Sequence, residues 1–188
     1  MNALVQAGAN VDHANSWGNT ALSLAALRNK LDTVNALVQA GANVDHANSN
    51  GDTALTLAAA NGELDTVNVL AQAGANVDHA NKDGNNALTL AALRGKLDTV
   101  NALVQAGANV DHANSRGNTA LMEIAGNLHE NLWREHLDIV NVLIHNGANI
   151  AHANSDGDTA VMLAAANGHL DVVHSLLQAD PTVNGAIR

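Results

Sequence analysis

The eight residues GANVDHAN occur four times in this chain, starting at Gly8, Gly41, Gly74 and Gly107, and an altered copy, GANIAHAN, starts at Gly147. A triplet of Thr or Asn, Ala, and Leu or Val recurs with the same period. Its copies start at Thr20, Thr53, Asn86, Thr119 and Thr159. Self-similarity at such a period indicates a solenoid in which each repeat stacks on its neighbours. The period therefore predicts an array of thin layers in place of one compact core.

The same period divides the chain into one half repeat and five repeats, which form a single array over residues 1–188. The half repeat covers 1–14, and the repeats cover 15–47, 48–80, 81–113, 114–153 and 154–188. The fourth repeat carries an insert of seven residues, since its period is 40 where the others have 33. Because the chain opens in the middle of a repeat, we expect an uncapped apolar helix at its start, as in a piece cut from a longer array.

Each repeat reads as two helices joined by a turn. In the first repeat, Thr20 is a good N-cap, and apolar residues at helical spacing follow it. A second apolar stripe runs from Leu31 to Val38, and a glycine follows where a left-handed C-cap belongs. Between the helices, Asn29 stands where other repeats have glycine, which predicts a positive φ at this position.

Composition excludes several classes of protein. The chain has no Cys, Phe or Tyr, so it has no disulfide or thiolate site, and its helices must pack through Ala, Leu and Val. A formal net charge of −10 argues against nucleic acid as the main partner. No apolar run is long enough for a membrane span and no signal peptide is evident, so we expect no membrane partner and a cytoplasmic protein.

At these motifs the units resemble ankyrin repeats. The helix motif appears as TALSLA, TALTLA, NALTLA, TALMEI and TAVMLA, and the finger motif as GANVD. The resemblance implies an all-α solenoid of stacked helix-turn-helix pairs with β-hairpin-like finger loops. The chain departs from the family where Ala replaces the usual Pro. The usual His is replaced as well, by Ser23, Thr56, Thr89, Met122 and Met162.

The resemblance also implies a non-catalytic function, in which finger tips and first helices line a groove that binds another protein. Carried over position by position, the groove comprises Trp17, Asn19, Leu27, Arg28, Asn50, Asp52, Asn61, Asp83, Asn85, Leu93, Arg94, Arg116, Asn118, Met122, Glu123, Asp156 and Asp158. Trp and Arg are residue types enriched in binding hot spots. No cofactor is expected.

One histidine recurs in each finger, as His13, His46, His79, His112 and His152. Three interpretations of this column are open: scaffold bonds between layers, a metal site, or a pH sensor. Zinc needs a tetrahedral set of donors about 2.0–2.1 Å away, which a column with layers roughly 10 Å apart does not offer. The spacing therefore favours a scaffold in which each His binds an Asp or the backbone of a neighbouring finger.

The insert in the fourth repeat is the one break in the period. Apolar residues from Leu121 to Leu132 continue one helical face, which predicts a longer first helix, whereas Gly126-Asn127 favours a loop. Trp133 and Arg134 leave the regular scaffold there and are further candidates for partner contact, either as a recognition knob or as part of a lid. The nearby HENLWREH lacks the His spacing of helical zinc proteases, so we expect no enzyme activity.

Two alternatives to a simple binding module remain open. In the first, the array is the targeting segment of a larger enzyme or of a secreted effector that acts in a host-cell cytosol. In the second, it is a structural array that self-associates weakly through the half repeat.

Overall fold

A computed structural model of the protein describes residues 10–127 and 133–179. Ten helices occur in these residues, as five consecutive pairs. The first helices of the pairs are α1 (Ala21–Leu27), α3 (Ala54–Asn61), α5 (Ala87–Leu93), α7 (Ala120–Gly126) and α9 (Ala160–Ala166). The second helices are α2 (Leu31–Gln39), α4 (Leu64–Gln72), α6 (Leu97–Gln105), α8 (Trp133–His145) and α10 (Leu170–Ala179).

The pairs stack into a solenoid, as the period predicts. Each first helix packs against the first helix of the next pair, and each second helix does the same in a parallel row. The core consists of buried leucines such as Leu22, Leu55 and Leu88, surrounded by buried alanines and valines. Small alanines allow the close approach of helices, so a core without Phe or Tyr is still filled. The predicted all-α solenoid of stacked helix pairs is confirmed.

Polar side chains cap the first helices. Thr20 Oγ1 accepts a hydrogen bond from Ser23 N at 3.3 Å, and Asn86 Oδ1 accepts one from Thr89 N at 2.9 Å. The residue that replaces the family's His completes the cap, because Ser23 Oγ donates to Thr20 O at 3.0 Å. A short hydroxyl side chain thus provides a local bond that holds the start of the helix.

The turn between the two helices requires a left-handed residue. Asn29 has φ 51°, and the glycines at the same position, Gly62, Gly95 and Gly168, have φ 76°, 65° and 73°. Asn tolerates this region better than other residues with a Cβ, and Gly has no penalty there. The predicted positive φ is confirmed.

The prediction of a longer first helix in the fourth repeat is wrong. Helix α7 ends at Gly126 and is seven residues long, as are α1 and α5. Asn127 ends it, because its backbone leaves the helical region at φ −132° and its Nδ2 donates to Glu123 O at 3.1 Å. The second helix is longer instead, since α8 has 13 residues where α2, α4 and α6 have 9.

Part of the insert and both ends fall outside the described residues. The insert residues 128–132 are among them, so lid and knob remain alternatives. The expectation of an uncapped, self-associating half repeat rests mainly on residues 1–9, which also lie outside the described ranges.

The left-handed turn gives the first test. Asn29→Gly is expected to leave the free energy of unfolding within about 0.5 kcal/mol of wild type, because glycine adopts this φ freely. Asn29→Ala is expected to lower it by about 1 kcal/mol, the cost of placing a Cβ in the left-handed region. Urea unfolding followed by circular dichroism measures both variants. Equal stability of the two would contradict the assigned turn geometry.

Candidate protein-binding surface

Five finger loops precede the first helices, and each has the same tight tip. In the first, Asn15 Oδ1 accepts hydrogen bonds from Trp17 N and Asn19 N, both at 3.0 Å. The backbone closes the turn, since Gly18 N donates to Asn15 O at 2.8 Å. A side chain that satisfies two backbone donors fixes the tip without regular strand pairing. The side chain of the middle residue, Trp17 here, remains free to face solvent.

The histidine column links neighbouring fingers. The imidazole Nε2 of each His from the second finger onward contacts the carbonyl oxygen of a tip glycine in the preceding finger. The pairs are His46–Gly18, His79–Gly51, His112–Gly84 and His152–Gly117, at 3.1, 3.0, 2.8 and 2.9 Å. A carbonyl only accepts, so Nε2 carries the proton, and it still carries it when the ring is protonated. The predicted bond to a neighbouring finger's backbone is confirmed.

The aspartate beside each histidine also links layers, in the opposite direction along the stack. Its Oδ1 accepts a hydrogen bond from a backbone N–H of the next finger. The pairs are Asn43 N to Asp12, Asn76 N to Asp45, Asn109 N to Asp78 and Asn149 N to Asp111, all between 2.8 and 2.9 Å. The repeated Asp-His pair is therefore a two-way connector, with the acid facing one neighbour and the imidazole the other.

Two further bonds complete each junction. The tip asparagine donates through Nδ2 to an Asn or Asp of the preceding finger, at 2.8 to 3.1 Å. A backbone N–H of the next tip donates to a backbone carbonyl, as in Ser49 N to Trp17 O at 2.9 Å. We call these four bonds, repeated at each junction between described fingers, the finger ladder.

Close backbone approach makes glycine necessary in the ladder. Gly117 has φ +79°, and a Cβ placed on it would lie 2.8 Å from Ser155 N. Gly157 has nearly the same φ, +84°, but no described atom lies within 4 Å of such a Cβ. The two positions separate backbone strain from contact between layers.

The predicted contact residues divide by exposure. Trp17 is 70% exposed and Leu27 41%, while the other exposed members are Arg28, Asn50, Asn61, Asp83, Arg94, Arg116, Arg134 and Asp156. Leu93 and Asp158 are half-buried. Trp133 begins α8, and its side chain lies outside what the structure describes. The exposed set differs from repeat to repeat, as a specific binding surface requires.

Four predicted contacts also belong to the scaffold. Asn19, Asp52, Asn85 and Asn118 accept the tip asparagine bonds of the ladder. Asn118 is also buried, at 8% exposure. Their side chains bond the neighbouring finger, and their contact with a partner stays a prediction.

Met122 and Glu123 are buried, at 1% and 2% exposure, so they present no surface to a partner. Met122 occupies the helix position where Ser23 and Thr56 are also buried. The position-by-position prediction is wrong for Met122, because this helix position faces the packed layers in each of these repeats.

Glu123 is the centre of a buried polar cluster. Its Oε1 accepts from Asn114 Nδ2 at 2.7 Å, Arg116 Nη2 at 2.8 Å and Asn118 Nδ2 at 3.0 Å. Its Oε2 accepts from Asn127 Nδ2 at 3.2 Å. A buried carboxylate is stable when donors surround it in this way. The cluster ties the fourth finger to α7 and to the residue that ends that helix.

Comparisons with known proteins agree with this geometry. The family model described as ankyrin repeats (3 copies) matches residues 1–81, 73–152 and 114–185. A solved structure titled "Crystal Structure of EF0377 an Ankyrin Repeat Protein" is similar over 95% of this chain and 90% of that chain. It has 31% sequence identity and a TM-score of 0.87. The comparison with curated proteins gives no match.

The chain belongs to the ankyrin-repeat family. Ankyrin repeats are in general protein-interaction modules and are typically not catalytic. The family assignment directs attention to the face formed by finger tips and first helices.

Sequence reasoning missed one row of this ankyrin face. Leu24, Leu57 and Leu90 lie four residues after the cap of their helices and are half-buried, whereas Leu22, two residues before Leu24, is buried. The signal was present, because the leucine recurs with the period and lies on a different side of the helix from Leu22. In the fourth repeat Glu123 takes its place.

Further features of the described residues bear on possible chemistry. A cleft of about 270 Å³ between two finger tips is lined by Lys82, Asp83, Asn85, Asn114, Ser115 and Arg116. Within residues 10–127 and 133–179, no three His, Cys, Asp or Glu side chains are grouped to hold a metal ion. Burial lowers the pKa of His169, which lies in the turn before α10. No described helix is long and apolar enough to cross a membrane.

The paired glycines test the ladder. Gly157→Ala is expected to lower the free energy of unfolding by about 1 kcal/mol, from the positive φ alone. Gly117→Ala is expected to lower it by roughly 3 kcal/mol, because its methyl group also forces two fingers apart. Denaturant unfolding of both variants gives the difference. If Gly117→Ala is no worse than Gly157→Ala, the fingers do not approach as closely as described.

Glu123 gives a second test. Glu123→Gln is expected to cost about 2 kcal/mol, because the amide turns a donor towards a cluster that only donates. Arg116→Ala is expected to cost less than about 1 kcal/mol, since the Arg116 side chain is 72% exposed. The exposed Glu135→Gln on α8 is the charge-matched control. A larger loss for Arg116→Ala than for Glu123→Gln would place the energy in the ion pair and contradict this assignment.

Proposed function

We propose that this ankyrin array is a non-catalytic module that binds a partner protein across its finger tips and the outer faces of its first helices. One observation carries the proposal: the recurring polar residues of the fingers are bonded within the scaffold, whereas exposed residues on the finger tips and first helices vary between repeats. Trp17, Leu27 and Arg94 are in the second group.

The exposed residues are of the types that carry binding energy. A Trp that is 70% exposed on a finger tip offers a large area for burial, and the exposed arginines offer directed donors. The tips are held by the ladder before any partner arrives, so little conformational entropy is lost when it binds. The same surface serves the alternative in which the array targets a larger enzyme or effector.

The test compares how strongly three forms of the protein, the wild type and two double variants, bind partner proteins. Trp17→Ala/Arg94→Ala removes two exposed contacts from the proposed surface, and Gln72→Ala/Gln105→Ala removes two exposed side chains from the ends of second helices. A protein retained by wild type and by the glutamine variant is expected to bind the Trp17/Arg94 variant at least about tenfold more weakly.

Thermal unfolding followed by circular dichroism checks that both variants remain folded. Equal binding to all three forms, or loss of binding in the glutamine variant alone, would place the interaction on a different face and refute the proposal.

A further inference from the structure

The outer face of the first helices carries a pattern that goes beyond general partner binding. Leu24 and Leu27 of α1 and Arg28, which caps the end of that helix, have the spacing i, i+3, i+4 and therefore share one face. Helix α5 repeats the pattern as Leu90, Leu93 and Arg94, and α3 between them has Leu57, Ala60 and Asn61. We call this surface, formed by the nine residues just named on α1, α3 and α5, the Leu-Arg strip.

The leucines of the strip form an apolar floor. Leu27 is 41% exposed, and Leu24, Leu57, Leu90 and Leu93 are half-buried. The buried leucines of the same helices are Leu22, Leu55 and Leu88, at 1% exposure each. An apolar row on a soluble protein that stands outside the core is typical of a binding surface.

The arginines of the strip are not required by the scaffold. Asn61 and Asn167 occupy the same helix position in other repeats. Asn61 Nδ2 makes a neighbouring-layer bond there, to Leu27 O at 3.1 Å. Arg28 and Arg94 are exposed, and the one ion pair found among the described residues is Arg116 with Glu123. In a chain with net charge −10, two such cations beside an apolar floor are a local exception.

The fourth repeat ends the strip. Glu123 replaces the floor leucine there, and Asn127 is turned back onto it by the bond between Nδ2 and Oε2 at 3.2 Å. The first turn of α8 then approaches α5, where His136 Nε2 lies 3.4 Å from Leu93 O. An occupant of the strip therefore meets apolar surface over three layers and the exposed amide of Asn127 at the fourth.

We propose that the Leu-Arg strip binds an extended, acidic segment of the partner protein, with apolar side chains on the floor and carboxylates on Arg28 and Arg94. This inference rests on the proposed function. The two arginines lie two layers apart, which is about 20 Å at the usual helix packing distance. An extended peptide covers this distance with about six residues, so two acidic residues spaced about six apart reach both guanidinium groups.

The experiment uses peptides of about twelve residues. This length exceeds the about six extended residues that reach from Arg28 to Arg94, so residues remain on both sides. A displayed random peptide library is selected on wild-type protein. Individual winners are then measured against four variants by fluorescence polarisation, the first of which is Trp17→Ala. Arg28→Gln/Arg94→Gln removes the two strip cations, and Lys30→Gln/Lys96→Gln removes the same charge from the same two repeats off the strip. Leu57→Asp places a charge in the apolar floor.

The inference predicts winners with apolar residues between two acidic ones. Their affinity is expected to fall at least about tenfold on Arg28→Gln/Arg94→Gln and on Leu57→Asp, and to stay within about threefold on Lys30→Gln/Lys96→Gln. Winners that are neutral or basic, or that lose as much affinity with the lysine variant, would overturn the acidic-segment inference.

The outcomes also separate the two proposals. Peptides of other composition that depend on Trp17 or Leu57 would leave the binding face in place and reject only the acidic partner. If no selected peptide depends on Trp17, Leu57 or the strip arginines, both the strip and the proposed binding face are refuted.

Discussion

The finger ladder is the interaction on which the rest of this ankyrin array depends. Each junction joins two fingers by four hydrogen bonds, supplied by His, Asp, Asn and the backbone. Bonds of this kind contribute about 1 kcal/mol each, so a junction adds a useful share of the stability of a thin layer. The ladder also fixes the spacing and angle of the tips, and with them the shape of the exposed surface.

The ladder explains why the polar residues of the fingers recur in nearly every repeat. In the second, third and fourth fingers, Asp-His bonds both neighbouring fingers, the acid the next one and the imidazole the preceding one. The residues left over are the middle of each tip and the outer face of each first helix. Under the proposed function, Trp17, Arg28 and Arg94 are set by the partner and not by the fold. Glu123 is the exception, a variable residue that became part of the scaffold.

The features that were predicted correctly from the sequence are those that recur with the repeat period. The helix pairs, the left-handed turn at Asn29 and the scaffold role of the histidines all follow from positions that recur. The wrong predictions concern the fourth repeat, whose side-chain contacts differ from those of the other repeats. Carry-over by position could not show that Glu123 is enclosed by donors from a finger and from Asn127, since those residues are distant in the chain. The apolar pattern past Leu121 suggested a longer α7, yet one side-chain bond from Asn127 ends it.

Residue-resolved hydrogen exchange of the native protein tests the ladder most directly. The amides of Asn43, Asn76, Asn109 and Asn149 belong to exposed residues, and the aspartates of neighbouring fingers accept their bonds. The account predicts that they exchange about as slowly as core helix amides such as that of Leu70, because opening them separates two layers. Exchange at the rate of an unstructured loop would show that the fingers move independently and would contradict the account.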